Sequence, residues 1–329
     1  MQIGGILQYN SRMAMDLQEN ISLAPHTIYK IGGPARFFIE INNSEEFREA
    51  LLFSLEKRIP FFVIGAGSNI LVSDEGFSGL IIKAKDGELL AEGERVTVGA
   101  GVMMARAVME SAKAGLSGFE WGIGVPGTVG GAVRGNAGCF GGEIKDVVEE
   151  VEIFDASKAT SYKLQAINCK FGYRDSIFKK HPEWVILSAT LKLKKGNPEE
   201  IKEKIRQITL ERTAKQDIGS KTCGCIFKNI SWSDAGGREE FLPKFPEAEK
   251  IKDRPNIPAS FLIDSAGLKG QRFGKVVISP KHANFFVNEG GATAAEVREL
   301  IKIAKDGVRR KFGVELEEEI QYVGFEKFG

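Results

Sequence analysis

The chain has 329 residues, 43% hydrophobic and 27% charged, and its 45 basic and 44 acidic side chains leave a formal net charge of +1. That length allows two domains with a sizeable core, and the balanced charge gives no overall field that would draw the protein to nucleic acid or to an anionic membrane. The N-terminus lacks the apolar stretch of a signal peptide, no run approaches a membrane span, and the four cysteines (139, 169, 223, 225) form no spaced disulfide framework, so a cytoplasmic location is expected.

Residues 1–22 read as a leader. A glycine-proline turn at 30–35 precedes a strand at 36–41 (RFFIEI). Ser44 is placed to cap a helix with Glu45 and Glu46 in its first turn and Phe47, Ala50, Leu51 and Leu55 at helical spacing. Pro60 ends it, and 61–64 (FFVI) is a short buried strand running into GAGSN at 65–69. Loops at the carboxyl ends of parallel strands are where such βαβ units bind ligands. Successive amides of a glycine-rich turn can form a phosphate nest; a plain tight turn is the alternative. A strand at 94–98 leads to a helix with Met104, Ala107, Val108, Ser111 and Ala112 on one face, stopped by Gly115.

Residues 118–142 (GFEWGIGVPGTVGGAVRGNAGCFGG) hold ten glycines in 25 positions, against 38 in the whole chain. A flexible linker of that glycine content is polar and serine-rich, whereas this stretch carries Phe119, Trp121, Ile123, Val125, Val129, Val133 and Phe140. It reads as a long binding loop whose bare backbone faces something flat or anionic. Strands follow at 147–154 and 184–194, the second with Leu187, Ala189, Leu191 and Leu193 on one face. Asn197, Pro198, Glu199 and Glu200 start a helix that serves as a domain connector. Residues 231–256, polar and proline-bearing, read as a surface excursion. A helix at 258–266 ends at Gly267, and Thr293 with Glu296 forms a capping box for a helix to about 310. The closing strand at 314–323 alternates, placing Leu316, Glu318, Ile320 and Tyr322 on one face and Glu315, Glu317 and Glu319 on the other. Periodicity alone makes Glu318 the inward acid.

Several motifs lead nowhere. Gly122-x-Gly124-x-x-Gly127 fits the dinucleotide fingerprint literally, but that fingerprint needs a helix opening at its end, and the glycines at 130, 131 and 135 argue against a regular one. Gly219-Ser220-Lys221-Thr222 shares the ending of a P-loop without its first glycine. Cys223-x-Cys225 has no second pair at ligand spacing, so no metal is expected. Of three histidines (26, 181, 282), His282 is open to a ligand role or a hydrogen-bonded structural one.

Taken in order, IGGPA (31–35), GAGSNILVSDEGFSG (65–79), the glycine loop with GEIKD (118–146), YRDSIFK (173–179), GCIFKN (224–229) and LEEEIQYVG (316–324) resemble the UDP-N-acetylenolpyruvoylglucosamine reductase (MurB) family over nearly the whole chain. The resemblance implies an α+β flavoprotein: an FAD-binding domain of two α/β subdomains (PCMH/VAO-type, about 23–84 and 85–203) and a smaller α+β substrate-binding domain at 204–329. It implies non-covalent FAD, held by Gly65, Ala66, Gly67, Ser68 and Asn69, by Gly127, Thr128, Gly131, Ala132, Asn136 and Gly138, and by Arg212. NADPH is the implied reductant, and the reaction reduces an enolpyruvyl ether of a UDP-sugar to a lactyl ether, in a monomer. Arg174, Cys225 and Glu319 take the catalytic positions by the same resemblance, with Glu319 overriding the parity argument for Glu318. Cys225 departs from the serine common there, and a thiol is a competent acid, with a reference pKa near 8.5. Tyr173, Lys215, Lys228, Asn229, Lys269 and His282 take the substrate positions. The rival readings are a different FAD oxidoreductase of the same superfamily and a UDP-sugar-binding protein without catalysis.

Overall fold

A computed structural model describes residues 16–85, 87–215 and 219–325. Its first sheet is built from β1 (Gln18–Ser22), β2 (Pro34–Ile41), β3 (Phe61–Ile64) and a later strand, Phe77–Ala84, in the order β1, β2, Phe77–Ala84, β3. The last three run parallel, and β1 pairs antiparallel at the edge. Part of the expected leader is therefore a sheet strand; residues 1–15 lie outside the described residues. Helix α1 (Ser44–Lys57) connects β2 to β3, and Asn43, not Ser44, caps it. The Asn43 carboxamide oxygen accepts from the amides of Glu45 and Glu46 at 3.0 and 2.9 Å, leaving Ser44 as the first helical residue. Phe47, Ala50 and Leu51 of α1 pack on Ile39, Ile41, Leu80 and Ile82, and this core continues into Phe154, Val185 and Leu187 of the second sheet. A short strand, β4 (Ile70–Val72), leaves the loop after β3, and β5 is the Phe77–Ala84 strand.

The second sheet is antiparallel, with β6 (Leu89–Glu92), β7 (Arg95–Gly99), β8 (Val148–Asp155), β9 (Thr160–Gln165) and β10 (Trp184–Lys192) in the order β9, β8, β10, β7, β6. Alternation in β10 buries Leu187, Ala189 and Leu191. Helix α2 (Met104–Lys113) buries Met104, Ala107, Val108 and Ser111 against this sheet. The glycine loop beyond it does form a helix, α3 (Val129–Gly135), contrary to expectation. Two features permit it. The Thr128 hydroxyl caps it, and a β-carbon at Gly130 would stand 2.8 Å from the Ala100 β-carbon, so glycine lets the helix sit against Ala100. The dinucleotide fingerprint fails on other ground: Gly122 and Gly124 belong to a 3₁₀ turn, Glu120–Gly124, not to the end of a strand.

Helix α4 (Pro198–Lys215) opens under an Asn197 side chain that accepts from the Glu199 amide at 2.9 Å. The domain boundary expected at 203/204 falls within this single helix. Residues 231–256 are not a mere surface excursion. They carry α5 (Arg238–Lys244) and a 3₁₀ turn (Pro246–Ile251), and Trp232, Phe241, Ala248 and Ile251 are buried in the C-terminal core. That core is completed by α6 (Ala259–Ser265), β11 (Val276–Ile278), β12 (Phe286–Asn288) and α7 (Ala294–Phe312). Both halves of the Thr293/Glu296 capping box are made, and Gly313, at φ 70°, ends α7. The closing segment is a strand only at β13 (Gln321–Val323), which pairs parallel with β4 and returns the chain to the first sheet's loop. Before it, Glu318 makes a single bridge to Phe227.

Candidate active site

Between the two sheets and the C-terminal core lies a cavity of about 380 Å³. The loop after β3 (Gly65, Gly67, Ser68, Asn69) lines it, and so do Gly127, Thr128, Gly131 and Ala132 at α3, with Gly138 and Arg212. The two glycine loops close on each other. A β-carbon on Gly65 would stand 2.3 Å from the Thr128 hydroxyl oxygen, and one on Gly127 would stand 2.6 Å from that of Ser68. Gly131, Gly135 and Gly224 differ from these. At Gly135 and Gly224 a β-carbon would meet nothing within 4 Å, and at Gly131 only the Thr128 hydroxyl at 3.7 Å, so these three leave bare backbone along the open cavity.

At one end stand Arg174, Cys225 and Glu319. The backbone explains how residues so distant in sequence meet there. The segment carrying Cys225 runs between two others: Cys225 bridges Phe285 on one side, and on the other the Glu319 amide donates to the Ile226 carbonyl at 2.8 Å. The Asn284 side chain clamps the same segment, accepting from the Phe227 amide at 3.0 Å and donating to its carbonyl at 2.8 Å. Glu319 is also tied to the glycine loop, because the Asn69 carboxamide donates to its carbonyl at 3.2 Å and the Gln321 amide donates to Asn69 at 3.0 Å. Arg174 arrives with φ 52°, a left-handed conformation that costs a non-glycine residue about 1 kcal/mol or more. Its Nε lies 3.1 Å from a Glu319 carboxylate oxygen, and Nη2 donates to the Gly138 carbonyl at 2.7 Å. Lys179 donates from Nζ to the Arg174 carbonyl at 2.5 Å and holds that turn. Alternation also explains the choice of acid. Glu318 shares the face of buried Leu316 and Ile320 and meets Lys305 of α7 at 2.8 Å and the Tyr322 hydroxyl, while Glu319 points the other way, into the cavity.

Burial raises the Glu319 carboxyl above the usual carboxylate range, against the pull of Arg174, Lys179 and Lys228. Burial, and then the Glu319 charge, push the Cys225 thiol up to about 12, with Arg174 and Arg212 opposing. The thiol therefore stays protonated at neutral pH. Burial likewise pushes the guanidinium of Arg212 below its ordinary value, and among the described residues it has no hydrogen bond or ion pair. Buried cations in that state call for an anion.

Two family models match the chain, an FAD binding domain over residues 35–160 and the UDP-N-acetylenolpyruvoylglucosamine reductase C-terminal domain over 216–323. The chain is 38% identical over 306 residues to the UDP-N-acetylenolpyruvoylglucosamine reductase of Solibacter usitatus, covering 92% of this chain and 95% of that protein. It is 39% identical over 319 residues to the enzyme of that name from Carboxydothermus hydrogenoformans, covering 96% and 97%. The crystal structure of the Thermus caldophilus enzyme (MurB) superposes with a TM-score of 0.74 at 33% identity, covering 94% of this chain and all of that one. This chain belongs to the MurB family.

The remaining expectations drawn from MurB sort by position. Tyr173, Lys228 and Asn229 gather beside the cluster: the Tyr173 hydroxyl accepts from the Asn229 amide at 3.1 Å, and Lys228 pairs with Glu317. Among the described residues, none of Tyr173, Lys228, Asn229, Lys269 and His282 lines the cavity. Lys269 pairs with Asp264 at 2.8 Å, and His282 packs its ring on Phe285, 4.5 Å between centroids, in the turn between β11 and β12. The Lys215 side chain lies outside the description. Ala66 is not in the lining, and Asn136 is buried, spending its carboxamide on Glu143, the Gly172 carbonyl and the Lys145 amide. Three residues near the MurB cluster were not singled out from sequence: Arg134, Lys179 and Asn284. Lys179 closes the YRDSIFK motif, and Arg134 is the one charge in the run from 121 to 142, which was the available signal. Nothing local marks Asn284.

Proposed function

We propose that this chain reduces UDP-N-acetylglucosamine enolpyruvate to UDP-N-acetylmuramate at the expense of NADPH, a step of peptidoglycan precursor synthesis. The observation that carries the reading is the Arg174–Glu319 pair, 3.1 Å apart, with Cys225 on the neighbouring segment of the same cavity wall.

The lining fits FAD. Bare backbone at Gly131, Gly135 and Gly224 leaves room for a flat ring or a close phosphate, and Arg212 offers an unpaired charge. Residues 65–69, Gly127, Thr128, Gly131, Ala132, Gly138 and Arg212 would hold the cofactor, with Asn136 bracing that stretch through its carboxamide. When bound, FAD supplies the hydride it has taken from NADPH. The chain's own groups do the rest. Arg174 binds the enolpyruvyl carboxylate and stabilises the charge that builds on it as the double bond is reduced. Glu319 orients that guanidinium, and Glu319's own backbone is anchored to the glycine loop, so cofactor site and acid move together. Cys225 carries a proton on Sγ at neutral pH and delivers it to the carbon that does not receive hydride, regaining it from solvent. Tyr173, Lys228 and Asn229, beside the cluster though outside the cavity lining, would meet the UDP-sugar together with Lys215, and Lys269 and His282 would reach it from farther away.

The reading carries with it an FAD-binding part at 23–203, a substrate part at 204–329, a monomer and a cytoplasmic location. Separate core clusters support the division, although Tyr29, Ile31 and Leu71 join the C-terminal one. Four free thiols support the reducing compartment, and among the described residues no helix is long and apolar enough to cross a membrane. The test is a visible spectrum of the purified protein. Yellow protein that bleaches with NADPH and regains colour anaerobically with the enolpyruvyl UDP-sugar supports the reading. Yellow protein indifferent to that substrate moves it to another oxidoreductase, and colourless protein that also refuses added FAD removes it.

A further inference from the structure

Arg134 is a charge without a use. It lies in the last turn of α3, and its side chain lines the cavity. Among the described residues its guanidinium makes no hydrogen bond and no ion pair; the hydrogen bond at this residue is from the Ser176 hydroxyl to its backbone carbonyl. Lys179, also in the lining, spends one of its three donors on the Arg174 carbonyl. The two cations lie close enough to repel, each is desolvated, and the acids facing them are Asp175, toward both, and Glu319, toward Lys179. Two like charges half-removed from water are unfavourable unless a ligand supplies negative charge.

The position says which ligand. The two glycine loops meet at Gly65, Ser68, Gly127 and Thr128, at the start of α3. Arg134 lies six residues beyond Thr128, about 9 Å along the helix at 1.5 Å per residue. Its backbone therefore stands away from the loop amides that suit the cofactor's phosphates, and its charge is felt at Lys179, which in turn faces Lys228 and Glu319.

We propose that Arg134 and Lys179 form a seat for a phosphate group of an incoming nucleotide substrate, distinct from the seat of the enolpyruvyl carboxylate at Arg174. The chemistry required is a phosphate dianion or pyrophosphate, which an arginine fork binds in two contacts and a lysine as a point charge. Which nucleotide carries it rests on the function proposed above: the reductant, through its 2′-phosphate, or the UDP-sugar, through its pyrophosphate.

The variant R134M keeps the volume of the stem and removes the charge. Because the Arg134 guanidinium makes no hydrogen bond or ion pair among the described residues and is faced only by Asp175, the melting temperature of R134M should stay close to or above wild type. In the holoenzyme, R134M should raise the KM of one nucleotide substrate about tenfold or more, with R134K recovering part of the loss and the dissociation constant of FAD unchanged. A higher KM for NADPH but not for NADH identifies the 2′-phosphate; a higher KM for the UDP-sugar identifies its pyrophosphate. If both KM values stay at wild type, or if FAD affinity falls instead, the proposal is overturned. An R134M holoenzyme still bleached by NADPH and still reducing the UDP-sugar separates that failure from a failure of the function itself.

Discussion

Three glycines of one short helix should respond differently to the same methyl group. In a helix interior, Gly→Ala gains roughly 1 kcal/mol from backbone entropy. At Gly131 and Gly135 nothing opposes that gain, since an added β-carbon would meet only the Thr128 hydroxyl at 3.7 Å in the first case and nothing within 4 Å in the second. Apoprotein carrying G131A should therefore be more stable by about 1 kcal/mol, and G135A, at the helix end, by somewhat less. At Gly130 the new carbon would stand 2.8 Å from the Ala100 β-carbon and 3.1 Å from its carbonyl oxygen, neither of which can swing aside. Overpacking of that kind costs about 1–3 kcal/mol, so G130A should break even at best and lose about 2 kcal/mol at worst. Binding should run the opposite way. The β-carbons at 131 and 135 meet open space in the cavity and should weaken FAD by about tenfold or more, near 1.4 kcal/mol, whereas a β-carbon at 130 is directed onto Ala100 and should weaken FAD less. The assay is urea denaturation of FAD-stripped protein, paired with quenching of flavin fluorescence to obtain the dissociation constant. If G131A and G135A bind FAD as tightly as wild type, the bare backbone is not a cofactor cradle and the argument fails.

Other outcomes follow from the cluster. Cys225→Ala should leave bleaching by NADPH unchanged and slow re-oxidation by the enolpyruvyl substrate by about a hundredfold, with Cys225→Ser restoring most of it; full turnover in the alanine variant would remove the proton-donor role. Because the thiol is pushed up to about 12, iodoacetamide should label Cys225 about a thousandfold more slowly than a free thiol at pH 8, and tenfold faster per pH unit above that; rapid labelling at pH 8 would contradict the protonated state. The Glu319 carboxyl is raised in the fold, so its stabilising contribution is complete below the ordinary carboxylate range and is lost as pH rises through the raised value. Glu319→Gln should accordingly look more stabilising, or less destabilising, at pH 8 than at pH 4 in matched urea titrations; the reverse order would mean the Arg174 pair outweighs burial. Asn284→Ala leaves the Phe227 amide and carbonyl unpaired in the core, at about 1–3 kcal/mol each, and should lower both the urea midpoint and kcat; a loss under about 1 kcal/mol would mean the clamp is dispensable.

Much was legible from the chain alone because the signals were local. Helix α7 announces itself through Thr293, Glu296 and Gly313, and β10 through every second residue being apolar, since caps and pleats are set by neighbours a few residues apart. The glycine density of 118–142 marked one wall of the cavity for the same reason: bare backbone is a property of the residue itself. The motifs also carried the family, and with it Glu319. What tertiary structure decided depends on contacts hundreds of residues apart. Alternation correctly set Glu318 beside Leu316 and Ile320, yet that face packs on Lys305 of α7, and only the pairing of this segment with Ile226 and Asn69 turns the opposite face toward Arg174. Helix α3 forms in spite of its glycines because Ala100 packs where a β-carbon would be. The polar stretch at 231–256 is anchored by Trp232 and Phe241, whose partners include Phe312, far along the chain. The charge state of Cys225 and the unpaired guanidinium of Arg134 arise from desolvation, which no local pattern encodes, because the walls that exclude water come from both sheets and the C-terminal core.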